Sequence, residues 1–284
     1  MSLEEFHQLP FSLAWKQEYI NGCLVESPRE VIVHATIPVA PRTVPSPATL
    51  RPTINADERN LLKPFKAAFA DAFEFCDYTR KHFAESARQS LHHFFHGPFH
   101  LPLPASRVAI GPPGLPDAGK PVGAALLLAQ DEGWALLDMI FVTPTWQRRG
   151  LASALAAAAL TALHQAGGYR TLVSRYHLGN EPSRAWHHGF GFTDEPDLRL
   201  AQLNLRASSH ELRRLRLLGT LTPAAQRRLV RERNRWQREV DRLEALIKQG
   251  KIEEADPWRR WRRKPRDDEK IIWMNPAAVV PRPT

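Results

Sequence analysis

Polar and apolar positions change period several times along this chain, and each change marks an element. Residues 15 to 37 carry two β-rich runs around Asn21-Gly22, a dipeptide suited to a tight hairpin because both residues tolerate positive φ. Pro38, Pro41, Pro45, Pro47 and Pro52 follow and predict a stiff linker. Phe65, Phe69 and Phe73 then recur at i, i+4 and i+8, one stripe of a helix, and Phe83, Ala87, Leu91 and Phe94 repeat the pattern in a second. Ser106 to Ile110 reads as a strand, and Gly111 to Pro121 as a Gly/Pro loop able to act as a mobile lid. Pro121–Gln130 and Trp134–Val142 are apolar strands joined by Asp131-Glu132-Gly133, the pattern of an antiparallel hairpin. An Ala-rich helix, Ser153 to Gln165, comes next. Two later strands, Thr171–Tyr176 and Arg199–Leu205, are expected to complete a mixed sheet with helices on both faces.

From Ser209 the chain reads as helical and basic. Gly219 breaks a short apolar edge of Leu212, Leu215 and Leu218, and Thr222-Pro223 restarts a helix as N-cap and first turn. Leu229, Trp236, Val240, Leu243 and Ile247 then keep a largely 3/4 spacing, interrupted at Arg233, which predicts a helical hairpin or short coiled-coil arm.

Composition adds a charge asymmetry. Of the chain's 39 Lys+Arg and 30 Asp+Glu, 21 and 11 fall in residues 206–284, so the excess of +9 belongs to the C-terminal part and the first 205 residues are nearly neutral. The tail Trp258-Arg259-Arg260-Trp261-Arg262-Arg263-Lys264 interleaves aromatics with cations, which suits nucleic acid, and equally an acidic lipid or acidic protein surface, as partner for residues 206–284. No stretch approaches the roughly 20 apolar residues of a membrane span, and residues 1–20 lack the basic start and apolar core of a signal peptide. Cys23 and Cys76 are too few for a disulfide framework, so a reducing, cytoplasmic setting is expected. His92, His93, His96 and His100 cluster. His92 and His96 at i, i+4 can share a metal, but zinc takes three or four ligands and neither cysteine is near in sequence. Solvated histidines at a helix end, and no metal, are the expectation.

The most informative stretch is Val142-Thr143-Pro144-Thr145-Trp146-Gln147-Arg148-Arg149-Gly150-Leu151-Ala152. A strand enters a Pro-initiated turn, then a basic-glycine loop that opens into a helix. The first N–H groups of a helix have no intrahelical partner and its dipole leaves partial positive charge there, so this is an anion site. Gly150 and Ala152 lack bulk, and Arg148 and Arg149 add charge; a diphosphate fits. No Lys-Ser/Thr follows the glycine, which excludes a nucleotide-triphosphatase loop, and the three glycines of GxGxxG are missing.

Val142, Pro144, Gln147, Gly150 and Ala152 match V-x-P-x-x-[QR]-x-x-G-x-[GA], and Asn180 to Phe192 is similar to N-x-x-[AS]-x-x-φ-[YF]-x-x-x-G-[FY]. Both resemble the acyl-CoA signatures of the GNAT N-acetyltransferase superfamily, over roughly residues 50–205. The resemblance implies an α/β fold, a mixed, mainly antiparallel twisted sheet flanked by helices, here with an N-terminal β-hairpin and a C-terminal basic helical arm. The expected divisions are 1–50 hairpin and linker, 51–207 acetyltransferase domain, 208–255 helical arm and 256–284 basic tail. The opening to Gly22 resembles the start of Uma2-family endonuclease-like proteins, but the likeness stops before the catalytic acids of such nucleases, leaving a packing or docking hairpin.

The resemblance implies transfer of an acetyl group from acetyl-CoA, as co-substrate and without a metal, to a primary amine by direct attack. Gln147, Arg148, Arg149, Gly150, Leu151 and Ala152 would hold the pyrophosphate. Backbone N–H groups near Ile140 and Val142 would bond the pantetheine and the thioester oxygen, and Asn180 and Ser183 would contact the lower arm of CoA. Asp138, in Val142's strand and on its face by alternation, is the candidate general base. His187 stands where the family often has the tyrosine acid, Tyr176 is a second candidate, and a thiolate leaving unaided is a third route. The alternatives are a GNAT-like module that binds acyl-CoA without turnover and a nucleic-acid- or ribosome-associated protein acting through its basic arm. The amine acceptor is not legible, and the Leu229–Ile247 stripe makes a homodimer conceivable.

Overall fold

The computed structural model describes residues 1–97, 104–130 and 133–258. A short helix α1 (Leu3–His7), capped by Ser2, precedes the hairpin of β1 (Trp15–Ile20) and β2 (Cys23–Pro28). Asn21 and Gly22, at φ 50° and 84°, make the tight turn that the dipeptide predicts. These two strands form their own sheet.

The main sheet has seven strands in the order β4-β5-β6-β7-β8-β3-β9. They are β3 (Ile32–Pro38), β4 (Thr49–Pro52), β5 (Arg107–Ile110), β6 (Pro121–Ala129), β7 (Trp134–Val142), β8 (Thr171–His177) and β9 (Thr193–Glu195). Only the β7–β8 pairing between named strands is parallel. The helical crossover α4 (Leu151–Ala166) joins that pair. The fold class read from the sequence is therefore the one observed.

The sheet corrects two expectations. Residues 199–205 are helical, within α6 (Leu198–Leu217): the Asp197 carboxylate accepts the Leu200 N–H at 2.8 Å, and Leu200 and Leu203 bury one side at helical spacing. Short-range alternation at Leu198, Leu200, Leu203 and Leu205 fits either period, and the cap decides for helix. The place beside β8 is taken instead by β3, whose Val33, Ala35 and Ile37 are buried between β8 and β9. The N-terminal 50 residues are thus no separate appendage, because they supply an interior strand. Nor does a boundary fall at 207/208, since α6 runs through it.

Two apolar layers cover the sheet. One face packs on α4, through Leu151, Leu155, Leu160 and Leu163, and on Leu200 and Leu203 of α6. The other carries α2 (Asp57–Ala68) and α3 (Arg80–His96), with Leu61, Phe65, Leu91 and Phe94 against Leu126, Leu128 and Phe141. Buried Asp57 anchors the start of α2, accepting from both Arg51 guanidinium nitrogens at 2.6 and 2.8 Å and from the Ile54 N–H. The Phe65/Phe69/Phe73 stripe is cut short. Phe69 is the C-cap of α2, and Phe73 lies in a separate 3-10 turn, Phe73–Phe75. Phe65 and Phe69 pack on Phe141, while Phe73 turns to Trp15 and His177.

The segment expected to be a lid is tied down. Gly111 bonds across to Lys120 and Gly119, and Asp117 accepts the Trp146 indole N–H at 3.1 Å. A Cβ on Gly111 would lie 2.2 Å from the Asp117 carbonyl, so only glycine permits that closure.

After α5 (Glu181–Phe190), α6 and α7 (Pro223–Lys248) pack as the expected helical hairpin. Ala201, Val240 and Leu243 are at its centre, and the short α8 (Ile252–Ala255) adds Ala255. Thr222 caps α7 through the Ala225 N–H. Trp258 then returns to the α2/α3 face of the sheet, 2% exposed, stacked on His34 at 4.9 Å and edge-on to Trp134. The rest of the expected basic tail, from Arg259, lies outside the described residues, as does His100. Among the described residues no helix is long and apolar enough to cross a membrane.

Candidate active site

The site begins where β7 and β8 part. Their parallel register runs from Trp134↔Thr171 to Leu137↔Ser174 and then stops, although both strands continue. Asp138 marks the divergence. On the other side of β7, Leu126 pairs with Met139 and Leu127 with Leu137, so Asp138 is an extra, bulged residue that bends the strand. Thr143 donates its N–H to Val122 of β6. Alternation along an antiparallel strand then turns the N–H groups of Val142 and Ile140 away from β6 and into the gap.

At the mouth of the gap stands the loop before α4. Trp146 is buried and anchors it, and the Arg149 guanidinium lies over the Trp146 ring at 5.3 Å. The Gln147 carboxamide donates to the Val142 carbonyl at 3.0 Å, so Gln147 shapes the loop by bracing it against the strand it leaves. Arg148 and Gly150 take positive φ, 62° and 79°, and this pair of left-handed turns swings successive N–H groups to one side. The first helical bond is Ala154 N–H to the Gly150 carbonyl, and no side chain caps α4. Among the described residues the N–H groups of residues 148–153 make no hydrogen bond of good geometry. A Cβ on Gly150 would meet nothing within 4 Å, so the space above the loop is open to a ligand. Orphan donors, a dipole end and two arginines fit a diphosphate.

The second half of the site is α5 and the end of β8. Asn180 caps α5 by accepting the Ser183 N–H at 3.0 Å, and its amide donates to both Glu74 oxygens at 2.8 and 2.9 Å. Glu74, on the turn between α2 and α3, is thereby held over the end of β8. It was missed in the sequence because nothing local marks it. Phe73 beside it packs so closely on Gly179 that a Cβ there would lie 2.6 Å from its ring.

The candidate proton-transfer groups are not placed as expected. Asp138 does not share Val142's face. The bulge resets the alternation, and Asp138 pairs at 2.9 Å with Arg175, which alternates with the α5-facing Ser174 and Tyr176. His187 is 1% exposed. Its Nδ1–H donates to the Ser183 carbonyl at 2.7 Å, and since a carbonyl can only accept, Nε2 must accept the Ser174 hydroxyl at 2.8 Å. Burial pushes His187 down to about 4, so near neutral pH it is an uncharged core imidazole without a proton to give from Nε2. Tyr176 is equally buried. Its hydroxyl donates to Asp194 at 2.7 Å, and burial together with that carboxylate holds the phenol well above its usual range. His177, also unforeseen, accepts the Gly179 N–H at Nδ1, and burial lowers it too. Ser183 contributes its carbonyl and a capped N–H to this network, and its hydroxyl lies 3.4 Å from His187 Nδ1.

Away from this cleft, Glu58 of α2 reaches His92 Nδ1 at 3.0 Å and His96 Nε2 at 2.9 Å on α3. The three ligand atoms lie within 4.8 Å of one another, a spacing compatible with a metal ion. The i, i+4 pairing of the histidines is legible in the sequence, whereas Glu58, 34 residues before His92, is not.

With the geometry established, comparison with known proteins is informative. Residues 68–192 match the family model described as "Acetyltransferase (GNAT) family". Over this segment, somewhat under half of its length, the chain is similar to that family. No match is found among curated proteins. Similar solved structures include a GCN5-related N-acetyltransferase from Sphaerobacter thermophilus (18% identity, TM-score 0.40, covering 59% of this chain and 50% of that one). Others are the ribosomal-protein-S18-alanine N-acetyltransferase of Escherichia coli (21%, 0.37, 52% and 79%) and an aminoglycoside 6'-N-acetyltransferase of Acinetobacter haemolyticus (18%, 0.36, 52% and 93%). The chain spans half the length of the first of these.

Proposed function

We propose that the protein transfers an acetyl group from acetyl-CoA to a primary amine by direct attack of the amine nitrogen on the thioester carbon. The observation that carries this reading is the juxtaposition of the parted β7–β8 edge with the donor-rich α4 loop. A linear molecule with a diphosphate at one end and an acyl group at the other matches that arrangement. Arg148, Arg149 and the N–H groups of Gly150, Leu151 and Ala152 hold the diphosphate, with Gln147 bracing the loop. The Ile140 N–H holds the pantetheine arm, and the Val142 N–H faces the oxygen on which negative charge develops. Asn180 acts by ordering the first turn of α5 and fixing Glu74.

As the new C–N bond forms and the C–S bond breaks, the ammonium proton must leave and the sulfur departs as thiolate. We assign that proton to one of two carboxylates, Asp138, which is paired to Arg175, or Glu74, which is paired to Asn180. With His187 neutral and Tyr176 bonded to Asp194, neither is an acid, and the thiolate leaves unprotonated at a pKa near ~8.5.

The test is calorimetric titration of acetyl-CoA into the intact protein and into Gly150→Trp, whose added ring fills the open space above the loop. Saturable one-site binding that Gly150→Trp abolishes, in a variant that still melts cooperatively, supports the reading. No binding to the folded intact protein would overturn it.

A further inference from the structure

Outside the proposed acetyltransferase site, the N-terminal hairpin and α6 flank an open cavity of about 340 Å³ whose lining is strongly basic. Lys16 comes from β1, Arg29 and Glu30 from the turn after β2, and Arg199, Gln202 and Arg206 from α6. The α6 residues are spaced i, i+3, i+7, so they form one stripe about 10 Å long at 1.5 Å per residue. Arg29 is oriented by protein rather than solvent. Its Nε donates to the Ser12 and Trp15 carbonyls at 3.2 and 3.1 Å, and its guanidinium lies 5.2 Å from the Phe11 ring centroid. Among the described residues no hydrogen bond uses the terminal nitrogens of Arg29.

What distinguishes this cluster is the missing counter-charge. Among the described residues no carboxylate pairs with Arg29, Arg199 or Arg206, whereas Lys16 has Glu18 at 2.8 Å. Glu30 is the single acid in the lining. Burial, with repulsion from Arg206 and Arg199, pushes Arg29 below its usual value, so the fold holds like charges together against their mutual repulsion. Nor is the cluster an overflow of the basic C-terminal arm. Lys16, Arg29 and Arg199 all belong to the first 205 residues, which are nearly neutral overall. The planar donor forks of arginine match phosphate and carboxylate oxygens two at a time.

We propose that this cavity binds a small organic polyanion, a molecule carrying two or more phosphate or carboxylate groups, clasped between the hairpin and α6. Arg29 supplies the fixed end of the site and Arg199 and Arg206 the outer end, with the Gln202 amide between them. None of these residues belongs to the α4 loop or to the β7–β8 gap, so the site is separate from the acetyl-CoA site.

The test is calorimetric titration of the full chain at constant ionic strength, with inorganic pyrophosphate as the phosphate probe and citrate as the carboxylate probe. It is repeated on Arg199→Gln/Arg206→Gln, two exposed side chains. Arg227→Gln/Arg231→Gln on α7 is the control, removing the same charge away from the cavity. Saturable binding of either probe, weakened at least tenfold by the first double variant and unchanged in the second, is the expected result. Binding of pyrophosphate alone would assign the site to phosphates, and of citrate alone to carboxylates. No saturable binding, equal binding in both double variants, or equal loss in both would overturn the proposal. The last would show a response to net charge only. Acetyl-CoA binding should be the same in all three proteins, which reports independently on the α4 loop.

Discussion

Acidification should destabilise this protein through His187 before it protonates the carboxylates. In the folded chain the imidazole is buried among Tyr176, Trp186 and Phe192, with both nitrogens already committed to Ser183 and Ser174. A proton on Nε2 would displace the bond it accepts from the Ser174 hydroxyl and place a charge in the core. The pKa therefore falls to about 4, against about 6.5 in an unfolded chain. A depressed folded pKa means that the unfolded state binds the proton first. The contribution is complete above pH 6.5 and is lost as the pH falls toward 4. At about 1.4 kcal/mol per unit of pKa, the full loss is about 3 kcal/mol, and about 2 kcal/mol of it is expected by pH 5. His177 and His210 are also lowered by burial and add to the same window, so the measurement must be a difference. Urea unfolding of the native protein and of His187→Gln at pH 7.5 and pH 5 isolates it. The stability gap between the two proteins should shrink by about 2 kcal/mol on going to pH 5. A gap that stays constant, or an imidazole C–H resonance of His187 titrating near 6.5, would refute the assignment of a neutral core histidine.

Asp138→Asn and Glu74→Gln should separate the two candidate bases: the true base should lose about 100- to 10,000-fold in kcat with acetyl-CoA affinity kept, and the other much less. Steady-state kinetics with any accepted amine decides between them, and near-unchanged rates for both would remove carboxylate base catalysis from the scheme. Trp258→Ala should cost about 3–5 kcal/mol in chemical denaturation, because a nearly fully buried indole is removed from between His34 and Trp134; a cost below about 1 kcal/mol would mean that Trp258 is not seated on the sheet. Gly179→Ala should cost about 1–3 kcal/mol because its methyl would meet the Phe73 ring, and Phe73→Leu should relieve part of that cost in the double variant. Strict additivity of the two in thermal melts would show that they do not touch.

The elements that the sequence determined by itself are those whose signals are local. Asn21-Gly22 demands positive φ at consecutive positions, Gly150 turns left-handed into α4, and Thr222-Pro223 starts a helix; each depends only on neighbours within a turn. The β6–β7 hairpin and the amphipathic α3 were legible for the same reason. What only the tertiary structure decided involves partners far apart in the chain. Residues 199–205 carried both periods, and capping by Asp197 with burial on the sheet selected the helix. The interior strand that the sheet required came from Ile32–Pro38, about 140 residues before the strand it joins, β8. Asp138 changed faces because of a bulge that no composition marks, and it met Arg175 only where β8 diverges. His187 and Tyr176 were read as acids from their types and positions, and their protonation was set by burial and by Ser174, Ser183 and Asp194. A residue's backbone preference is a property of its immediate neighbours, whereas its charge state depends on everything folded around it. Fold class and local turns could therefore be read along the chain, while the surroundings of buried titratable groups and the basic cavity could not.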